Sequence, residues 1–559
     1  MSTPRAPAGG WPGSGLAVRP ARSPRAAPVR NTAPITVPAP IPVPAPIPVP
    51  GTAPARSTPP SPSPATGPRG GVGENGLSAA NGLGPSGAEL ARLRRVAVGE
   101  EDADLLVHGG TVVVVQTGEL LRRDVAIVGR FIAAVTRPGA LAGRRSLDAS
   151  GRYLLPAYVD AHIGPERTLL LPGEAARLLV PRGTVTTLTD PSGLVARRGA
   201  RAAGLTTTTG TPLRVLVRRP GTPTPAPADL LPGERPGAQR TLADLIGYGQ
   251  LGCAVRRAVV AGMPPAEAVR RATLAPARRH GLDHVLGSIT PSHLADLLIV
   301  TQVGGIEPPD LVVAGGRIAA GQGRPLFDNS DATPGGATDT VRLPANLHVG
   351  SFAAARWPGH PAPLPLAVEI VSRLSAPVVP QQPAAVLPPA APAARPVRVE
   401  PAVREGLIVA DPERDLVKVA LVDRSGAQVP VRVGLVRGAG LTSGAIGVSV
   451  AEPPGDLLLL GTNDADMLTA ARALEGMGGG FVVVDRGWVQ AACPLPVAGV
   501  VSDAPWEAVD GQLAAADAAA SAIGCRLGSP LQTLAGLGAA LYLRTDARPD
   551  ARGVFPGPR

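Results

Sequence analysis

At 559 residues the chain has room for two to four domains, and an apolar content of 44% allows ordinary cores. Its formal charge of +11 rests on arginine, Lys418 being the single lysine, and the arginines are scattered without a basic, aromatic-interleaved helix, which argues against a nucleic-acid partner. Three widely spaced cysteines (Cys253, Cys493 and Cys525) exclude a disulfide framework or zinc knuckle, and the lack of a signal-peptide core or a bilayer-length apolar run points to a cytoplasmic protein with no membrane partner.

Residues 1–100 read as a disordered tail rich in Pro, Ala and Arg. Within it, VPAPIPVPAPIPVP (Val37 to Pro50) places proline at every second position. Proline fixes φ and removes a donor, so this stretch is extended and polyproline-like. Such tracts can dock in aromatic grooves, but a semi-rigid tether is the plainer reading. Order is expected from near Asp104. DLLVHGGTVVVV and DVAIVGRFIAAV (Asp124 to Val135) predict strands around glycine turns. LDASGRYLLPAYVDAHIG turns at Ser150-Gly151 and continues as a buried strand toward His162. PGEAARLLV (Pro172 to Val180) predicts an amphipathic helix and TVTTLTD (Thr184 to Asp190) a strand.

After Ala196 the pattern degrades into low-complexity and Pro-rich sequence, broken by a strand-like LRVLV (Leu213 to Val217). Helical patterning returns in TLADLIGYGQLGCAVRRAVVAG and PPAEAVRRATLAPARRHGL. ADLLIV (Ala295 to Val300) and DLVVAGGRIAA (Asp310 to Ala320) follow as strands. Residues 328–405 read as linker with a short ordered segment. From Gly406 onward DLVKVALVDRSG, PVRVGLVRGAGL and AIGVSVA predict strands, and DMLTAARALEGMGGG a helix with a glycine stop. GFVVVDRGWVQAACPLPVAG predicts a hairpin turning at Arg486-Gly487. The GMGGG run, Gly476 to Gly480, lacks the Lys-Ser/Thr of a phosphate loop and follows a helix, so it reads as a helix stop.

The segments DLLVHGGTVVVVQTGELLRRDVAIVGRFIAAV and LDASGRYLLPAYVDAH resemble the N-terminus of the amidohydrolase superfamily, and ATLAPARRHGLDHVLGSITPSHLADLLIV with DLVVAGGRIAAGQGRPL resembles its return. GAIGVSVA and LLLLGTNDADMLTAARALEGMGGGFVVVDRGWVQAACPLPVAGVVSD resemble the C-terminal domain of adenine deaminases. The resemblance covers about Asp104 to Ala196 and Thr241 to the C-terminus, linkers excluded. It implies an α/β fold: a composite β-sandwich (104–155 and 288–327) flanking a truncated (β/α) barrel (156–287), then an α/β C-terminal domain (406–559). A full barrel takes about 200 or more residues, whereas only about 130 lie between Pro156 and Gly287.

The resemblance further implies conversion of adenine and water to hypoxanthine and ammonia with a divalent metal, manganese, iron or zinc. The metal lowers the pKa of bound water to about 7 and so supplies hydroxide. In the superfamily the first barrel strand ends in His-x-His, whose alternate side chains share a face. Here the strand reads Asp160-Ala161-His162-Ile163-Gly164. His162 stands at the first metal-ligand position, Gly164 at the second, and Glu166 at the acidic position that follows, the one candidate catalytic carboxylate. The family's Asp-Pro-His-Glu reads Asp190-Pro191-Ser192-Gly193, its Thr-Asp-Asp is replaced by Arg218-Arg219, and its Gly-His reads Gly249-Gln250. A His-Asp-Ser-His-Asn segment is replaced by Glu452-Pro453-Pro454-Gly455-Asp456.

His280 and His284 have the helical metal-pair spacing, but Gly281 is expected to end that helix. A lone His162 is more often a leftover than a ligand, and a lone Glu166 more often a solvated carboxylate. Three functional expectations follow. One is an adenine deaminase-like enzyme with adenine or a related purine as substrate. The second is a non-catalytic relative acting in binding or assembly through the C-terminal domain and the Pro-rich tail. The third is a decayed product whose barrel, short of strands, leaves unpaired edges that favour aggregation or rescue as a homo-oligomer.

Overall fold

The computed structural model describes residues 82–189, 210–218, 229–232, 240–247, 250–305, 308–328, 338–355, 366–371, 393–450, 456–530, 533–535 and 537. The proline tract lies outside them. Among the described residues regular structure is present before Asp104, in helix α1 (Gly87–Ala97). Ser86 caps it, its hydroxyl accepting from the Glu89 amide while the Glu89 carboxylate accepts from the Ser86 amide. The signal was legible as Ser-x-x-Glu. Leu93 and Val96 bury its inner face against the sheet below.

That sheet contains β1 (Leu105–His108), β4 (Asp124–Val128), β5 (Phe131–Thr136) and β6 (Ser146–Asp148) in the order β5-β4-β1-β6. Seven strands make the second sheet, in the order β14-β13-β12-β11-β7-β2-β3. Its early members are β2 (Thr111–Val113), β3 (Leu120–Arg122) and β7 (Tyr153–Pro156). The others, β11 (Leu297–Val300), β12 (Leu311–Ala314), β13 (Arg317–Gly321) and β14 (Arg324–Pro325), come from the far side of the barrel segment. Alternation sets the layers. Leu105, Val107, Val125 and Ile127 face Leu154, Leu297, Ile299 and Val313 in one shared core. Leu106, Ala126 and Val128 face outward toward α1.

Gly109-Gly110 moves the chain from one sheet to the other. Gly109 has φ +76°, and a Cβ on Gly110 would stand 2.9 Å from Leu154 Cγ. The turn is therefore a sheet switch with no room for side chains.

The barrel segment contributes three parallel strands among the described residues, β8 (Tyr158–Asp160), β9 (Thr184–Thr189) and β10 (Arg214–Val217), in the order β10-β9-β8. All six residues of β9 are buried, as in a strand covered on both faces. The short helix α2 (Pro165–Thr168) and α3 (Pro172–Leu179) link β8 to β9. Beyond β10 come α4 (Leu242–Ile246), α5 (Leu251–Val260), α6 (Pro265–Ala272) and α7 (Leu274–Arg279). Leu178, Leu179, Ala254 and Val255 pack on Leu155, Leu298 and Val312, the outer face of the seven-stranded sheet.

In the first turn of α6, Glu267 pairs with Arg270 at 2.6 Å and Arg271 at 2.7 Å. These hydrogen bonds hold its carboxyl at about 2, below its usual 4.5. A depressed folded-state value means stability that is present above pH 4.5 and lost as the pH falls toward 2. Because the group is partly solvated, Glu267→Gln should cost only about 1 kcal/mol at pH 7. Urea unfolding of the two proteins at pH 7 and near pH 3 should show that difference shrinking.

Beyond the sandwich, β15 (Ala354–Ala355), β18 (Ala402–Arg404) and β19 (Leu407–Val409) form a small sheet in the order β15-β19-β18. An eight-stranded sheet follows, containing β16 (Leu366–Val371), β17 (Ala393–Arg398), β20 (Leu416–Asp423), β21 (Arg432–Arg437), β22 (Ala445–Val448), β23 (Asp456–Gly461), β24 (Gly480–Asp485) and β25 (Trp488–Pro494). Its order is β17-β16-β21-β20-β23-β22-β24-β25. Strands β16 and β17 fall inside 328–405, which the sequence suggested to be largely linker. Pro396 can sit in β17 because that strand is an edge.

Helices α8 (Asp464–Gly476) and α9 (Trp506–Ala522) cover opposite faces of this sheet. Leu457, Leu459, Val482 and Val484 pack under Ala470, Ala471 and Leu474 of α8. Leu458, Leu460, Phe481 and Val483 belong to the core that holds Val509, Ala516 and Ala520 of α9. A clasp joins α9 to the barrel segment: buried Glu174 accepts from the Trp506 amide at 3.0 Å, and Arg177 bridges Glu174 and Glu507.

Candidate functional site

In strand-helix barrels the carboxyl ends of the strands carry the chemistry and the opposite ends carry stability. Each end holds an ion pair here, partly buried at the amino end and buried at the carboxyl end. At the amino end of β10, Arg214 donates to Thr186 Oγ1 at 2.8 Å and to Asp296 Oδ2 at 2.9 Å, while Asp296 Oδ1 accepts from the Gly315 amide. This pair ties barrel to sandwich.

At the carboxyl end of β8, Asp160 is 1% exposed. Its Oδ1 accepts from the His162 amide at 2.8 Å and its Oδ2 from Arg240 Nε at 2.7 Å. Arg240 is itself 6% exposed. Its backbone amide donates to the His162 carbonyl at 2.7 Å, and Ile163 and Arg240 form a parallel bridge. His162 is half-buried beside this pair, and Glu166 lies one short turn further on, in α2. The two residues are thus close in the chain at the strand end. Arg218 stands exposed beyond β10, its amide bonded to the Thr189 carbonyl. Asp190 to Gly193, Arg219 and Gly249 lie outside the described residues. Gln250, at the position expected for a family histidine, is buried and donates its side-chain amide to the Leu245 carbonyl.

The other described histidines sit elsewhere. His108 approaches Asp148 at 3.9 Å on the sandwich. His293 is bonded to Ser288, and burial, reinforced by nearby His284, pushes its pKa down. His280 is the residue that ends α7, and Gly281 follows with φ +68°. His348 bonds to Asn346 and Ser351. His360 lies outside the described residues. Burial raises the Cys493 thiol to about 12 and the Cys525 thiol to about 11, which makes both poor nucleophiles at neutral pH.

The C-terminal domain carries an open recess of about 610 Å³ at the start of α8, with Thr442, Asn463, Asp466 and Asp485 in its wall. Asp466 spends its carboxylate on the β24–β25 turn, accepting from the Gly487 amide at 2.6 Å, the Arg486 amide at 3.3 Å and Asn463 Nδ2 at 2.7 Å. That acceptor work builds the hairpin.

A divalent catalytic metal needs three protein ligands and an open position. Among the described residues no three His, Cys, Asp or Glu side chains are grouped to hold one. At the β8 end itself, Asp160 is committed to Arg240, and a guanidinium repels a metal ion. The described donor set does not fit the metal that the resemblance implies.

Comparison with known proteins finds two matched regions. Residues 393–544 match the adenine deaminase C-terminal domain, and residues 238–319 match the amidohydrolase family. An adenine deaminase of Moorella thermoacetica is 28% identical over 575 aligned positions, covering 80% of this chain and 94% of that protein. One from Methanothrix thermoacetophila is 27% identical, covering 82% and 96%. One from Oleidesulfovibrio alaskensis is 31% identical over 302 positions, covering 54% and 48%. The Moorella alignment uses only four-fifths of the 559 residues, so more than a hundred of its 575 positions face gaps here. Among solved structures, an adenosine deaminase from Xanthomonas campestris with bound zinc aligns with 41% of this chain and 95% of its own at 15% identity, with a TM-score of 0.27. Through its C-terminal domain, and through relatives aligned along four-fifths of its length, this chain is similar to adenine deaminases.

Proposed function

We propose that the chain is an adenine deaminase-type amidohydrolase of the cytoplasm, taking adenine and water to hypoxanthine and ammonia. The observation that carries this reading is a matched adenine deaminase C-terminal domain in a chain whose relatives of that name align over nearly their whole length. The amidohydrolase match implies a divalent metal as cofactor, with manganese, iron or zinc as the candidates. We assign His162 as the remaining candidate ligand and Glu166 as the candidate catalytic carboxylate, both by position after β8.

A second reading is favoured by the buried Asp160–Arg240 pair and by a barrel segment with three parallel strands among the described residues. In it the chain is a non-catalytic relative that binds or assembles through its C-terminal domain. One experiment separates the two. The full chain is incubated with adenine and manganese, iron(II) or zinc, and conversion to hypoxanthine is followed by absorbance. The first reading expects turnover that His162→Ala and Glu166→Gln each reduce at least about 100-fold. Folded, soluble protein that is silent with every metal selects the second.

A further inference from the structure

A carboxylate as deeply buried as Asp160 needs a counter-charge, because an unpaired buried ion is strongly destabilising. In a metal-dependent barrel an ion bound at the strand end can supply one. Here the counter-charge comes from the chain. We infer that the Arg240 guanidinium is a built-in cation that takes the place of a divalent metal at the carboxyl end of β8.

Three observations support this. Both oxygens of Asp160 are engaged, one by the His162 amide and one by Arg240 Nε, in a pair that is nearly inaccessible to water. The guanidinium is delivered by fixed backbone. The Arg240 amide is bonded to the His162 carbonyl, and Ile163 bridges to Arg240. Thr241 then starts α4 with a reciprocal cap, its hydroxyl accepting from the Asp244 amide and the Asp244 carboxylate from the Thr241 amide. Finally, Arg218, just past β10 and two strands away, is a further basic residue at the carboxyl ends of these strands. A divalent ion near His162 would therefore meet a guanidinium in place of a free carboxylate.

The test uses the full chain and reads metal content and thermal unfolding, so it is separate from adenine turnover. Silence toward adenine would leave this inference intact, whereas turnover that depends on added metal and on His162 would count against it. Protein dialysed against zinc or manganese and then desalted should hold substoichiometric metal, and EDTA should leave its unfolding midpoint unchanged. Arg240→Met should lower the midpoint by about 10 °C, since it strands a buried carboxylate. Asp160→Asn combined with Arg240→Met should recover most of that loss, because the amide keeps the His162 bond and removes the charge. If Arg240→Met is insoluble, recovery of soluble protein by the double variant gives the same answer. One metal per chain that is lost in Asp160→Asn, with a midpoint that EDTA lowers, would overturn the inference. So would a double variant no more stable than Arg240→Met.

Discussion

Lys418→Ala should lower the free energy of unfolding by about 3 kcal/mol, a large effect for one side chain. Lys418 sits on the central strand β20, and its side chain is 4% exposed. Its ammonium donates to both oxygens of Asp464 at 2.7 and 2.9 Å and to the Phe352 carbonyl at 3.1 Å. Removing it strips a carbonyl and a carboxylate of their donor inside the fold. Asp464 is about a quarter exposed, so water recovers part of the cost, which holds the figure at the lower end of the range for broken buried pairs.

In a chain that otherwise uses arginine for every basic position, this one lysine has a steric reason. A compact ammonium on a straight stem fits between strand, helix start and the Phe352 carbonyl, where a planar guanidinium fork would have to displace them. Lys418→Arg should therefore destabilise as well, by about 1–3 kcal/mol from overpacking. Chemical denaturation of both variants checks this. An arginine variant as stable as the parent would refute the steric explanation.

The second large effect is expected at Phe481, where truncation to alanine should cost about 3–5 kcal/mol. Phe481 is fully buried on β24. It faces the core shared with α9, among Ile446, Val448, Leu458, Leu460 and Val483. Its neighbours are strand residues held by hydrogen bonds on both sides, β22 and β25, so they cannot collapse into the void. Val482→Ala, on the opposite face under α8, removes fewer methyl groups and should cost about 1–2 kcal/mol. Urea unfolding followed by hydrogen exchange in β22 to β25 would read both. Equal effects would mean that the two faces are not separate layers.

How much of this could be read beforehand differs from element to element. Helices α3 and α5 to α7 and the hairpin at Arg486-Gly487 were legible because local chemistry specifies them. Arg486 and Gly487 have φ +54° and +80°, as a two-residue hairpin turn requires. Helix α1 was equally legible from its Ser86–Glu89 box, but it follows a long Pro-rich tract that obscured it. Strands β16 and β17 were hidden for a different reason. Each is a six-residue edge or near-edge strand among prolines, and it acquires its identity only from the neighbours it pairs with.

The sequence by itself carried the resemblance, the α/β class and the presence of Gly164 and Ser192 where the resemblance implies metal-ligating histidines, because these depend on residue identity. Tertiary structure decided that Gly109-Gly110 switches sheets, that α8 and α9 take opposite faces of one sheet, and that Arg240 neutralises Asp160. Asp160 and Arg240 are 80 residues apart. No local periodicity connects them. Folding does so by burying a carboxylate at a strand end and bringing the start of α4 alongside, where the only affordable neighbour is a cation.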